Sequence, residues 1–328
     1  MTALNTLKRF AMPWLAAVAF SFSGAALAAG DHDHHHKHAE ERIFEGVSVQ
    51  LWSVKDDVSD DVKGTLKQLA DWGFDGVELA GNLGEFGDDA QAFKAYLDSL
   101  GLEVSGAHVG FDQLTDEKFD ATVQFYKTLG VNWLIVPADG RAWNDDGIED
   151  IVADLNAMAE RLAPHGMQIG YHNHQDEFNT YKDSTYWEYM ADNTADNVIM
   201  QLDISWAYFA GMDPAKLIRQ YESRVRTAHI KAQVTHYKDA MPAIEKANPE
   251  GWGEKMGLVF AELNKVTAAD NGVTSIVGQD LVDWSAVIEA FKDTSKSTWL
   301  VVEQEVYPEG MTPMEAVKAS KDGLMDVL

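Results

Sequence analysis

The sequence predicts an α/β fold, a (β/α)8 barrel, over residues 43–328. Two observations predict it. Short apolar runs alternate strictly with longer stretches of helical spacing, eight times over roughly 280 residues, and strands alternating with helices of that length imply a parallel sheet closed into a barrel. In addition, no strand is followed by a glycine-rich phosphate loop, which sets aside the open doubly wound sheet.

The elements follow in order. "GVSVQLW" (46–52) reads as a strand, and "VKGTLKQLADWG" (62–73) as a helix stopped by glycine. "DGVELAG" (75–81) is a strand and "DAQAFKAYLDSLG" (89–101) a helix. "LEVSGAHVG" (102–110) leads to "DEKFDATVQFYKTLG" (116–130), and "NWLIVPA" (132–138) to the long helix 148–166. The fifth strand, "MQIGYHNH" (167–174), precedes a helix around 184–192. "NVIMQLD" (197–203) precedes "DPAKLIRQYESR" (213–224). "VRTAHIKA" (225–232) is followed by an insertion, 233–282, before "DWSAVIEAFKD" (283–293). "TWLVVEQEVY" (298–307) is the eighth strand, and residues 312–328 are the closing helix. A long loop after strand seven is expected over the carboxyl ends of the strands.

Residues 1–28 read as a secretory signal peptide: Lys8 and Arg9 precede an apolar stretch, and "ALA" at 26–28 offers a small-residue cleavage site. That stretch is too short and interrupted for a spanning helix. A periplasmic or secreted protein is therefore expected, with no membrane contact after cleavage. The chain has no cysteine, so the domain is held by its core, which about 300 residues can supply. Five of the eleven histidines fall in "DHDHHHKHAEER", within residues 29–42. That segment lacks apolar residues before Ala39 and is expected to be disordered, with loose affinity for Zn²⁺, Ni²⁺ or Cu²⁺. The formal charge is −27 for the whole chain. Such a surface repels phosphate backbones and anionic lipid, so nucleic acid is excluded as a partner and phosphorylated sugars are disfavoured.

In a barrel, chemistry sits at the carboxyl ends of the strands. There the sequence places Glu78, His108, His172 and His174, Asp203, His229 and Lys231, and Glu303 and Glu305. Mixed imidazole and carboxylate groups around one centre suit Mn²⁺, Co²⁺, Fe²⁺ or Zn²⁺. Each residue also has a plainer explanation: Asp203 stands where a helix N-cap is expected, and His229 could be a core histidine. Trp52, Trp206, Tyr208, Tyr307 and Trp252 fall on the same loop face, as stacking surfaces for a sugar ring or as ordinary core.

"VQLWSV", "DGVELAG", "SGAHVG", "GYHNH", Leu202–Asp203, "HIK" (229–231), "VDW" (282–284) and "VVEQEVYP" together resemble the xylose-isomerase-like TIM-barrel enzymes, the sugar phosphate isomerase/epimerase superfamily, from about residue 46 to 328. The resemblance implies one divalent metal held at the ends of strands five to eight, with Asp203, His229 and Glu303 as three of its ligands. The strand-five ligand, usually Glu, falls on His172, with His174 as the alternative. It also implies removal of a proton beside a carbonyl, with His108, His174, Glu177 and Glu78 as candidate catalytic groups and Lys231 as a cationic partner for the oxygen. The closest-looking subgroup comprises secreted lyases or hydratases of 3-keto-glycosides. A small unphosphorylated sugar or glycoside is thus the expected partner, with a sugar isomerase/epimerase as the alternative and a non-catalytic sugar- or metal-binding protein as a further one.

Overall fold

The computed structural model describes residues 43–269, 272–294 and 296–328; the expected leader and histidine-rich segment, residues 1–42, lie outside the described residues. Eight parallel strands close into a barrel: β1 (Phe44–Gln50), β2 (Gly76–Leu79), β3 (Glu103–His108), β4 (Trp133–Val136), β5 (Gln168–His172), β6 (Ile199–Asp203), β7 (Thr227–Ile230) and β8 (Thr298–Val302). Each pairs with its sequence neighbour, and β1 closes on β8. The predicted (β/α)8 fold is the one observed.

Helices α1 (Lys55–Asp71), α2 (Ala90–Leu100), α3 (Phe119–Thr128), α4 (Ile148–Leu162) and α5 (Tyr186–Asn193) follow the first five strands. Their apolar stripes, such as Ile151, Leu155 and Leu162 on α4, are buried, and each fully buried aliphatic side chain contributes about 1.5–3 kcal/mol. α1 begins at Lys55 rather than at residue 62 because it is two segments. Asp61 has non-helical φ −152° and ψ 82°, and its side chain accepts a 2.9 Å bond from Gly64 N, starting the second segment as a cap would. A two-residue antiparallel ribbon (180–181 with 184–185) precedes α5, unforeseen in the sequence.

After β6 the chain forms two short helices where one was expected: α6 (Ile204–Phe209), capped by Asp203, and α7 (Pro214–Gln220), capped by Asp213. The insertion after β7 carries α8 (Tyr237–Ala247) and α9 (Trp252–Thr267); α10 (Trp284–Lys292) and α11 (Pro313–Val327) complete the helical layer. α8 and α9 have a satellite core, in which Met241, Ile244, Met256, Val259 and Leu263 pack with Trp206, Phe209 and Val306. α9 reaches across to other loops. Lys255 pairs with Asp176 at 2.6 Å, Gln175 Nε2 lies 3.2 Å from Met256 Sδ, and Trp252 stacks 5.7 Å from Trp143.

Inside the barrel, side chains at i and i+2 share a face. An apolar layer of Trp133, Ile135, Ile199, Trp299 and Val301 fills one end. Further along the same strands the inward positions turn polar: Gln201 and Asp203 on β6, Thr227 and His229 on β7, and Glu303 just past β8.

Candidate metal and catalytic site

Strand register delivers the site. Asp203 pairs with His229 across β6 and β7, His172 with Gln201 across β5 and β6, and Gln50 with Glu78 across β1 and β2. His172, Asp203, His229 and Glu303, all buried, each offer one donor atom, and these atoms lie within 4.8 Å of one another. His229 Nδ1 is 3.0 Å from Glu303 Oε2 and 4.0 Å from Asp203 Oδ2, close but without hydrogen-bond alignment. Asp203 divides its carboxylate: Oδ1 accepts from Trp206 N at 2.8 Å as the cap of α6, and Oδ2 faces the cluster. The helix cap expected of Asp203 is present, and its other oxygen is turned to the cluster. His174 is not one of the four, although its ring lies 5.0 Å from that of His172.

Two imidazoles and two carboxylates suit a borderline divalent ion such as zinc, which binds nitrogen and oxygen donors at about 2.0–2.2 Å. Their surroundings also fit. His229 Nε2 lies 2.6 Å from Glu78 Oε2, and His172 Nδ1 lies 3.1 Å from Gln201 Oε1. Metal-ligating histidines commonly hold their second nitrogen in this way.

Lys231 is embedded beside the cluster. Its Nζ is 2.8 Å from Asp203 Oδ2, 2.9 Å from Glu303 Oε2 and 2.7 Å from Glu305 Oε2, and stands 4.7 Å over the Trp206 ring. Toward Asp203 it is an ion pair without an aligned hydrogen bond. Burial opposes the ammonium, yet these three carboxylates hold its pKa well above the ordinary lysine value. Burial likewise opposes a charge on His229, but Glu303 and Glu78 push its pKa up to about 10. A divalent cation would displace the Nδ1 proton that Glu303 favours. Burial, then the Lys231 charge, pull His174 down to about 3, and burial also lowers His108. Both are neutral at neutral pH.

Above the cluster opens a cavity of about 740 Å³. His108, His172, His174, Glu303 and Glu305 line its depth, with Trp52 at one rim and Trp252, Met256 and Phe260 of α9 across from it. Among the described residues that line it there is no lysine or arginine. A second cavity of about 670 Å³ lies at the other end of the barrel, bordered by Glu103, Trp133, Arg226 and Trp299. Among the described residues no histidine borders it, and the candidate site lies at the first.

Several predicted residues sit elsewhere than expected. Glu177 is fully buried with both oxygens engaged: Tyr171 OH donates to Oε1 at 2.8 Å and His174 N to Oε2 at 3.0 Å. Burial pushes its carboxyl up to about 8, but it clamps the loop carrying His174 rather than facing the cavity. Glu78 lies beneath the cluster and does not reach the cavity. Trp206 is 1% exposed, buried under Lys231. Tyr208 packs on His236, and Tyr307 donates to the Ser53 and Gln304 carbonyls; neither lines the cavity. Of the five aromatics named for sugar contact, Trp52 and Trp252 line it. Glu305 is drawn in by Lys231. Gln201 was missed. Its signal was position, two residues before Asp203 and therefore on the same inward face.

With this architecture, the chain belongs to the xylose isomerase-like TIM barrel family, which residues 66–325 match. Among its relatives is the inosose dehydratase of Lacticaseibacillus casei, 24% identical over 280 residues that cover 78% of this chain and 87% of that protein. A sugar phosphate isomerase/epimerase from Parabacteroides distasonis superposes with a TM-score of 0.63 at 18% identity, over 85% of this chain and 97% of that one. The IolI protein, whose crystal structure holds a zinc atom, superposes with a TM-score of 0.58 at 15% identity, over 86% and 97%.

Proposed function

We propose that this chain is a divalent-metal-dependent enzyme that removes a proton beside the carbonyl of an unphosphorylated sugar, acting as a lyase or hydratase of a keto-sugar or 3-keto-glycoside. The observation that carries the reading is the four-donor cluster at the floor of a deep cavity whose lining includes no lysine or arginine. A phosphate group would find Asp112, Glu303 and Glu305 there and no cation of its own, since Lys231 is already shared by three carboxylates. Relatives named as inosose dehydratases support an enzyme acting on a carbohydrate, and elimination in particular.

His172, Asp203, His229 and Glu303 would hold the metal. When bound, such an ion polarises a carbonyl and makes the neighbouring C–H more acidic. The neutral rings of His108 and His174 border the cavity and can accept that proton. Lys231, held by Glu305, keeps a positive charge beside the place where negative charge develops. Trp52 and Trp252 offer aromatic faces to the apolar C–H face of a sugar.

In D₂O, the keto-sugar substrate should acquire deuterium at the carbon next to the carbonyl, and chelation should stop the exchange. Replacing the base histidine by Gln should lower kcat about 10²–10⁴-fold with metal content intact. Product that carries, on the neighbouring carbon, the hydrogen the substrate held beside its carbonyl would exclude the proton-abstraction route and favour a hydride-shift isomerase.

A further inference from the structure

One buried carboxylate governs the proton positions of three histidines. Glu78 Oε2 accepts from Gln50 Nε2 at 2.7 Å and faces His229 Nε2 at 2.6 Å, and its Oε1 accepts from Gln201 Nε2 at 2.6 Å. A carboxylate ringed by three donors is an acceptor only. The Gln201 amide must therefore turn its NH₂ toward Glu78 and its carbonyl oxygen away. That oxygen meets His108 Nε2 at 2.8 Å and His172 Nδ1 at 3.1 Å. It too can only accept, so both of those ring nitrogens carry hydrogen. A neutral imidazole has one N–H, which leaves Nε2 of His172 and Nδ1 of His108 bare. On His229 the Nε2–H is taken by Glu78, so the proton that Glu303 favours on Nδ1 is the one a metal would displace, freeing that atom's lone pair.

We infer that Glu78 and Gln201 form a tautomer relay, in which Glu78 sets His229 directly and sets His172 through the orientation of the Gln201 amide, so that both ring nitrogens facing the four-donor cluster present lone pairs to a metal. Glu78 is a positioning residue: it is fully buried and touches none of the cavity. The backbone makes room for it, since a Cβ at Gly106 would stand 3.0 Å from Glu78 Oε1. The inference rests on the metal-binding reading above.

The relay makes an isosteric substitution informative. In Glu78→Gln, one terminal oxygen becomes an NH₂. If that NH₂ faces Gln201, the Gln201 amide must flip and point its own NH₂ at His108 and His172, moving the His172 proton to Nε2. If it faces His229, that ring must accept at Nε2 and carry its proton on Nδ1. Either arrangement aims one N–H at the metal position with almost no change in volume.

The test compares wild type, Glu78→Gln, Gln201→Met and Gln50→Met. Zinc affinity is measured by competition with a chromophoric chelator, tautomers by ¹⁵N imidazole shifts of the metal-free proteins, and folding by thermal unfolding. Metal-free wild type should show His172 protonated on Nδ1 and His108 on Nε2. Glu78→Gln should unfold cooperatively, bind zinc about 10–100-fold more weakly and show a shifted proton on His172 or His229. Gln50→Met, which removes a donor to Glu78 without touching a histidine, should keep zinc affinity near wild type. If Glu78→Gln does not fold, Gln201→Met decides: it should bind zinc several-fold more weakly, with His172 a mixture of tautomers. Wild-type zinc affinity in both Glu78→Gln and Gln201→Met, or His172 protonated on Nε2 in the metal-free wild type, overturns the relay. A wild type that takes up no zinc overturns the metal reading, and the ring shifts then still judge the relay.

Discussion

Asp203 does two jobs with two oxygens, and the two can be separated by experiment. Asp203→Ala and Glu303→Ala should each lose bound metal, seen by elemental analysis after dialysis, and nearly all activity. Both should still unfold cooperatively when metal-free, since strand-end ligands contribute little to barrel packing. Asp203→Ala should be about 1 kcal/mol less stable than Glu303→Ala, because it also loses the cap on α6. Full metal occupancy in either variant would remove the site assignment. The cluster residues were visible in the sequence because each ends an apolar strand, where an imidazole or carboxylate has no packing role. Gln201 was not, because a glutamine in "NVIMQLD" announces no chemistry until its neighbours across the sheet are known. Trp206, Tyr208 and Tyr307 show the converse. Sequence places a residue on the loop side of the barrel but does not say whether its ring turns toward the cavity or into the satellite core.

Helix and strand positions were largely legible, since apolar period and glycine stops are local signals: Gly101 and Gly166, with φ of 70° and 74°, end their helical segments as expected. The docking of α8 and α9 was not, because it depends on contacts such as Lys255 with Asp176, far apart in sequence. The end of the insertion is tied down by Asp280. Its carboxylate accepts from Gln233 N at 2.9 Å and from Trp284 Nε1 at 2.7 Å, and burial pushes its pKa up to about 6. The folded chain thus takes up a proton near pH 6, whereas the unfolded chain does so near an ordinary aspartate value of about 3.9. Between those values the folded state binds more protons, so this residue makes stability rise as pH falls. Wild type should gain stability relative to Asp280→Asn on going from pH 7 to pH 5, read from urea midpoints of the two proteins. A constant difference would mean that Asp280 is ionised throughout.

Across the whole molecule, the charge of −27 disfavours an anionic ligand, and the expectation that residues 1–28 are removed is open to direct test. Mass spectrometry of protein recovered from the producing cells should find the mature chain starting at or near Ala29. Deleting residues 29–40 should leave turnover unchanged at saturating metal; a large drop in kcat would make that segment part of the active machinery. Among the described residues no helix is long and apolar enough to cross a membrane.

The apolar layer of Trp133, Ile135, Ile199, Trp299 and Val301 has a kinetic consequence. It plugs the barrel, and among the described residues none borders both the upper and the lower cavity. For the proposed reaction, reactant and product would then enter and leave at the α9 end of the barrel. On that reading a product that lingers would block the next molecule, and a ligand longer than the chamber would leave its tail outside. If the substrates are glycosides as proposed, turnover on bulky ones should be governed at the threshold by how quickly that opening clears.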